Sequence, residues 1–384
     1  MTPRIAFVVA LAAVSLGLGG CSTVLLVEEV RQNGRLFGRA PDPEVPNAKR
    51  IRFAAVGDFG LDIPAQRVAA ANMRRRCDGR CDFTLLLGDN LYWSGISEKE
   101  AEADTNRLAC LIRRYPGPKY AVLGNHDYHP VFPDAARSER QLAFFAEAGD
   151  DVRGAFHFYT FNAGNHAFWA IDSNLLVRAV ALDENVEVRA FGASAEREVA
   201  GWKIGFGHHP LISNGYHGNA GRFRESDRFA LWSGKALRRF FLEHFAGRLD
   251  LYLSGHEHSL QFHAPVFGTK TAVVVSGSGG KCTPRASDPK NLSPDGLRYE
   301  HYGYGFAIVD AGPRLEVRYY DLAGNLLWGA SRGRGGPWVP LEGFARIASD
   351  PRAHCVVDRE TASVAEANRT IDPMFCGTRP SPVP

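Results

Sequence analysis

Asp58, Asp89, Tyr92, Asn125, His126, His208, His256 and His258 are the side chains best suited by type and spacing to act together. They sit in short blocks that each open on glycine and follow an apolar run: Gly57-Asp58-Phe59-Gly60, Gly88-Asp89-Asn90-Leu91-Tyr92, Gly124-Asn125-His126-Asp127, Gly207-His208-His209-Pro210 and Gly255-His256-Glu257-His258. Carboxylate, amide, phenol and imidazole donors suit hard or borderline cations. Asp89 has two oxygens and can bridge two ions. Tyr92 can add a phenolate where an ion is acidic enough to strip its proton. Singly, each has a plain explanation: Asp58 fits a helix N-cap, Asn125 to Asp127 fit a turn, and His208 or His209 fits a core imidazole bonded to backbone. His256 and His258 place both rings on one side of an extended segment. Together they point to metal ions in one crevice.

The elements that must position them follow from the apolar pattern. Strands are predicted over 51–56, 83–87, 120–123, 202–206 and 249–253, and each runs into one of the blocks. Helices are predicted over 65–76, 98–114, 138–148 and 236–246, from apolar residues at helical spacing. Segments 156–161 and 167–171 read as consecutive strands, and 271–276, 306–309 and 315–321 as further strands. Between 173 and 200 the only signal is a short helix over 193–200. Strands alternating with helices make an α/β fold. A carboxylate just past the end of such a strand faces the crevice beyond.

In that order, the five blocks resemble those of the calcineurin-like metallophosphoesterases, over residues 51–310. Tyr92 at its spacing is similar to the purple (tartrate-resistant) acid phosphatases. The resemblance implies a four-layer α/β/β/α sandwich of two mixed sheets. It implies one metal on Asp58, Tyr92 and His258, a second on Asn125, His208 and His256, and Asp89 as the bridge. The first would be Fe(III), favoured by the tyrosinate, and the second divalent Fe, Zn or Mn. His126 would contact the substrate phosphate, and His217, in a His-Gly pair, would approach the leaving group. Two cations about 3.5–4 Å apart stabilise the attacking and leaving oxygens of an in-line displacement. The implied reaction is attack of a metal-bound hydroxide on a small phosphomonoester, with an acidic optimum. A phosphodiesterase or nucleotidase on the same core is the nearest alternative. A non-catalytic surface-binding lipoprotein is the other, and no substituted ligand position supports it.

Ser276-Gly277-Ser278-Gly279-Gly280-Lys281 looks like a phosphate loop. A Walker motif needs Gly where Val275 stands and Ser or Thr where Cys282 stands. The segment is better read as the Gly-rich stretch that lines the resembled site. Arg222, Phe223 and Arg224 read as a solvated basic loop.

The N-terminus has the layout of an export signal: Arg4, an apolar run over 5–18, then Leu18-Gly19-Gly20-Cys21. That ending resembles a bacterial lipobox. The expectation is a signal over 1–21, a lipid on Cys21 and an exported periplasmic or cell-surface lipoprotein of the outer membrane. A tether over 22–50, a metallophosphoesterase domain over 51–330 and a C-terminal extension over 331–384 would follow. Of seven cysteines, setting Cys21 aside leaves Cys77, Cys81, Cys110, Cys282, Cys355 and Cys376. An even set outside the cytosol suggests disulfides, with Cys355 and Cys376 stapling the extension. Hydrophobic content of 45% and charged content of 23% are those of a globular protein. A net charge of +3 without a basic block gives no sign of nucleic-acid binding.

Overall fold

The computed structural model describes residues 34–130, 134–178, 182–199, 201–224, 232–289, 292–293 and 295–355. The signal segment, Cys21, the start of the tether and Cys376 lie outside them. In chain order the strands are β1 (Phe37–Arg39), β2 (Ile51–Val56), β3 (Phe83–Leu86), β4 (Lys119–Ala121), β5 (Val152–Arg153), β6 (Phe158–Ala163), β7 (His166–Ile171), β8 (Lys203–Phe206), β9 (Gly218–Asn219) and β10 (Arg222–Phe223). They continue as β11 (Leu251–Ser254), β12 (Leu260–His263), β13 (Ala272–Ser276), β14 (Leu297–Gly303), β15 (Gly305–Ala311), β16 (Arg314–Asp321), β17 (Leu326–Gly333), β18 (Val339–Pro340) and β19 (Ala348–His354). The α-helices are α1 (Pro64–Cys77), α2 (Ala101–Arg113), α3 (Ala135–Glu147), α4 (Ser173–Arg178), α5 (Val186–Arg197) and α6 (Lys235–His244).

Two large mixed sheets form. One has the order β18-β17-β16-β15-β2-β3-β4-β5, the other β1-β6-β7-β8-β11-β13-β12-β14-β19. β2, β3 and β4 run parallel in the first, and β7, β8, β11 and β13 run parallel in the second. Successive strand residues point to opposite faces, so each sheet divides its apolar residues between two layers. Phe53 and Ala55 of β2 enter the layer between the sheets, while Ala54 and Val56 face outward toward Met73 and Leu108 of the helices. In the second sheet Leu251 and Leu253 face inward, and Tyr252 meets Phe241 of α6 at 5.6 Å between ring centres. Aromatic rings join the sheets: Phe53 to Phe168 at 5.5 Å and Phe83 to Phe161 at 5.7 Å. Each such fully buried side chain contributes about 1.5–3 kcal/mol. The result is the four-layer α/β/β/α sandwich.

Several elements differ from the sequence reading. The short helix expected over 193–200 is instead α5, Val186–Arg197. Asn185 caps it, accepting from Glu187 N and Val188 N at 2.9 and 3.2 Å. Gly192 interrupts the helical signal because His244 packs there, and an added Cβ would come within 2.6 Å of that ring. Cys355 pairs with Cys282, a separation of 73 residues, and so is not free to staple Cys376. Cys77 pairs with Cys81, and Cys110 is also disulfide-bonded. The aperiodic segments carry strands too: β1 pairs with β6, and β19 pairs with β14. Among the described residues no helix is long and apolar enough to cross a membrane.

Closing a loop of 73 residues removes denatured-state entropy equivalent to about 4 kcal/mol. The double variant Cys282→Ser/Cys355→Ser should therefore lose about 2–4 kcal/mol of unfolding free energy, read as a lower urea midpoint with a slope that rises as the denatured chain expands.

Candidate metal centre

β2, β3 and β4 end at the same edge of their sheet, and β8 and β11 end at the matching edge of the other. The five blocks leave these ends and interlock. Asp58 N donates to Gly88 O at 3.0 Å, Gly57 N to Ser276 O at 2.8 Å and Gly207 N to Leu253 O at 3.1 Å. The glycines are required by space. A Cβ on Gly88 would lie 2.6 Å from His208 Nδ1, and one on Gly255 2.7 Å from Asp58 Oδ2. A Cβ on Gly124 would overlap Asp89 N and Oδ1.

Asp58, Asp89 and His256 have φ of 57°, 54° and 66°. This left-handed region is unfavourable for side chains with a Cβ, and such strain persists only where surrounding contacts over-determine it. Here backbone amides supply the contacts: His256 N donates to Asp58 Oδ2 at 2.7 Å and His126 N to Asp89 Oδ1 at 2.9 Å. Tyr92 Oη lies between the carboxylates, donating to Asp89 Oδ2 at 2.6 Å with Asp58 Oδ1 at 3.1 Å.

All of the residues singled out from the sequence come together. Asp58, Asp89, Tyr92, His208, His256 and His258 are buried. His258 Nε2 is 3.5 Å from Asp58 Oδ1, and His208 Nε2 is 3.4 Å from Asp89 Oδ1. His126 Nδ1 donates to Trp93 O at 2.7 Å, which turns Nε2 toward Asp89 Oδ2 at 4.0 Å. The His217 ring centre is 4.4 Å from that of His256 and 5.2 Å from that of His258. His209 has its Nδ1 2.9 Å from Ser173 Oγ, with its ring centre 4.4 Å from that of His256.

Burial raises the Asp58 carboxyl to about 7, with Asp89 adding to the rise. Burial also opposes ionisation of Asp89, but His208, His126 and the Tyr92 hydroxyl outweigh it and hold that group well below the usual carboxylate range. Burial, then the charges of Asp89 and Asp58, push the Tyr92 phenol well above its ordinary value. Burial draws His126 down to about 4 and His258 well below its ordinary value.

The donor set fits cations. Asp58, Asp89 and His208 each offer a ligand atom, all within 4.8 Å of one another. His208 Nδ1 donates to Leu87 O at 2.9 Å, so the neutral ring carries its lone pair on Nε2. That lone pair faces Asn125 Oδ1 at 2.9 Å, and His256 Nδ1 is 3.0 Å from the same oxygen. Lone pairs converging in this way repel unless a cation or a proton lies among them. His258 Nδ1 is buried and has no hydrogen-bond partner among the described residues.

Three supporting residues escaped the sequence reading. Asp127 accepts from Gly124 N at 2.7 Å, Asn90 N at 3.1 Å, Asn90 Nδ2 at 2.9 Å and Leu91 N at 3.1 Å. It ties the loop after β3 to the loop after β4. Glu257, between the two histidines of its block, accepts from His217 N and leaves no room for a side chain on Gly215. Lys281 places Nζ over the rings of Tyr92 and Trp93, at 4.5 and 5.0 Å from their centres. A charge inside or just after a Gly-rich block was the available signal for each.

Comparison with known proteins agrees with this geometry. Residues 51–260 match the calcineurin-like phosphoesterase family. Purple acid phosphatase 3 of Arabidopsis thaliana is 26% identical over 301 residues, covering 72% of this chain and 76% of that one. Tartrate-resistant acid phosphatase type 5 of Mus musculus is 26% identical over 326 residues, covering 77% and 92%. A purple acid phosphatase from yellow lupin (Lupinus luteus) seeds shares the fold, with a TM-score of 0.57, 14% identity, and coverage of 77% of this chain and 56% of that one.

The close approach at Gly124 gives a direct test of the centre. Gly124→Ala should displace Asp89 and lose most bound metal by elemental analysis, with an unchanged far-UV circular dichroism spectrum. Retention of the full metal complement would show that Asp89 does not bind where the geometry places it.

Proposed function

The chain belongs to the calcineurin-like phosphoesterase family and is a dinuclear-metal phosphoric ester hydrolase, and from that premise we propose that it is an acid phosphatase of the purple, tartrate-resistant type. Its substrates would be small phosphomonoesters. The observation that carries this reading is Tyr92 Oη set between Asp89 Oδ2 and Asp58 Oδ1, at 2.6 and 3.1 Å. A phenol buried against two carboxylates gives up its proton only to a strong local positive charge. The arrangement therefore favours a trivalent ion, Fe(III), held by Asp58, Tyr92 and His258. Asn125, His208 and His256 would hold a divalent Fe, Zn or Mn, with Asp89 shared.

When bound, the two cations neutralise phosphoryl charge and lower the pKa of water, so that a nucleophile exists at acidic pH. The protein's own groups do the rest. Asp89 stands between both donor sets, with His126 N holding Oδ1 and, until Tyr92 gives up its proton, the Tyr92 hydroxyl holding Oδ2. His126 has Nδ1 committed to Trp93 O. Its Nε2 carries the lone pair in the neutral ring. It therefore donates to a phosphoryl oxygen or protonates the leaving alkoxide only when the ring is an imidazolium, a form that the draw of its pKa down to about 4 confines to acid. His217 faces the same space from the loop that Glu257 anchors.

Export as a lipoprotein acylated on Cys21 belongs to the same reading. Its support is the sequence Leu18-Gly19-Gly20-Cys21 after an apolar run. Mass spectrometry of the mature N-terminus tests it, and an unmodified or uncleaved N-terminus would sink it.

The purified soluble domain should contain iron, show a visible charge-transfer band and hydrolyse p-nitrophenyl phosphate fastest below neutral pH. Tyr92→Phe should keep its metals and lose the band. Asp89→Ala should lose paired metal, with kcat down by a factor on the order of 10²–10³ or more. A colourless, iron-free but active enzyme would overturn the ferric assignment. Full activity in Asp89→Ala would overturn the dinuclear one.

A further inference from the structure

Lys281 is a cation at the centre that is not explained by metal binding or by an ion pair. Its Nζ rests against the ring of Tyr92, which is buried, and that of Trp93, which is 55% exposed. The ammonium thus lies where the buried donor set meets solvent. Among the described residues no carboxylate comes within ion-pairing distance of it, and its contacts there are the two ring faces. The nearby carboxylates are already engaged, Asp89 by Tyr92 Oη and His126 N, and Asp58 by His256 N. An ammonium has three N–H donors and no acceptor. Ring faces attract its charge but accept no strong hydrogen bond, so its donors are left for a ligand.

The position of Lys281 is also fixed from both sides. Gly279 N donates to Gly57 O at 3.1 Å, and Thr283 N to His258 O at 3.2 Å. A Cβ on Gly280 would lie 3.0 Å from Asp58 O, so the run Gly279-Gly280 passes flush against the metal loop. Lys281 is the first long side chain after that approach. Cys282, its neighbour, is bonded to Cys355 just beyond β19. A lysine held this tightly beside an anionic substrate's site is pre-organised, and little entropy remains to be lost on binding. Its electrostatic reach into the centre also appears in the groups it perturbs, Asp58, His126 and His258.

We propose that Lys281 is a substrate-binding and specificity-determining residue that donates to a terminal oxygen of the phosphoryl group. A phosphomonoester carries one more terminal oxygen than a diester, and more negative charge. Lys281 meets that additional oxygen, and so favours monoesters over diesters. The proposal rests on the phosphoesterase reading above.

The experiment uses metal-loaded protein and three probes: orthophosphate by calorimetry, and p-nitrophenyl phosphate and bis(p-nitrophenyl) phosphate by steady-state kinetics. Lys281→Met keeps the stem that packs on the rings and removes only the charge. A charged hydrogen bond of the usual strength predicts an orthophosphate Kd and a monoester KM each weakened about ten- to a hundredfold, with the diester KM moved less than about threefold. Metal content and melting temperature should not fall, and Lys281→Arg should restore most of the monoester KM. Should the methionine variant not fold, Lys281→Gln gives the same comparison. Unchanged orthophosphate affinity and monoester KM in a folded, metal-replete variant would overturn the role of Lys281 alone. Equal losses on both esters would overturn its part in specificity. A wild-type protein that neither binds orthophosphate nor cleaves either ester would overturn the phosphoesterase reading and this proposal with it.

Discussion

Two carboxylates buried side by side are the constraint on which this structure depends. Asp58 and Asp89 are almost wholly excluded from solvent, and they share one hydroxyl, that of Tyr92. Removing two like charges from water is costly unless opposite charge or strong donors replace the lost hydration. Backbone amides of His126 and His256 and the Tyr92 hydroxyl supply part of that replacement. The remainder is left for cations. The site is held in a shape that a cation or a proton must complete.

That shape has its own cost, which is spread over the fold. Backbone at Asp58, Asp89 and His256 is left-handed, at an expense of about 1–3 kcal/mol each. Their neighbouring glycines admit no side chain. None of this is stabilising locally. It is sustained because each block is the continuation of a strand locked in a two-sheet core, where rings from both sheets pack at 5–6 Å, as Phe53 does on Phe168 at 5.5 Å and Phe83 on Phe161 at 5.7 Å. Asp127 then fastens two of the loops to each other through four donors. Rigid scaffold and strained site are parts of one energetic arrangement.

The same division explains what could be read from the chain before its structure was known. Parallel strands covered on both faces read as continuous apolar runs, so β2, β3, β8 and β11 and the blocks at their ends stood out. β14 and β19 did not. β14 carries Arg298, Glu300 and His301 among its aromatics, and Glu300 is buried by pairing with Asn214 and Ser349, contacts that are remote in sequence. α5 was under-read because a glycine that weakens helical propensity is there to admit His244. The partner of Cys355 depends on where β19 docks, and no local pattern encodes that. Asp127 was visible as a turn former, but its role as a hub requires knowing that two loops are adjacent.

The proposed metal ligands and the proposed substrate-facing groups are held by different kinds of interaction. Asp58, Asp89 and His256 are fixed through backbone: glycine clearances, left-handed torsions and amide donors. A single side-chain change elsewhere does not easily move them. Lys281, Trp93 and His217 are held by side-chain contacts and by loops: ring faces, a disulfide to residue 355, and the carboxylate of Glu257. These supports come from segments far apart in the chain, and they can change without disturbing the sheets. A centre built this way can keep its hydrolytic chemistry while the groups around its entrance are altered to suit a different phosphate ester. The specificity of this chain should therefore be sought in residues 93, 213–221 and 277–283 rather than in the ligand blocks.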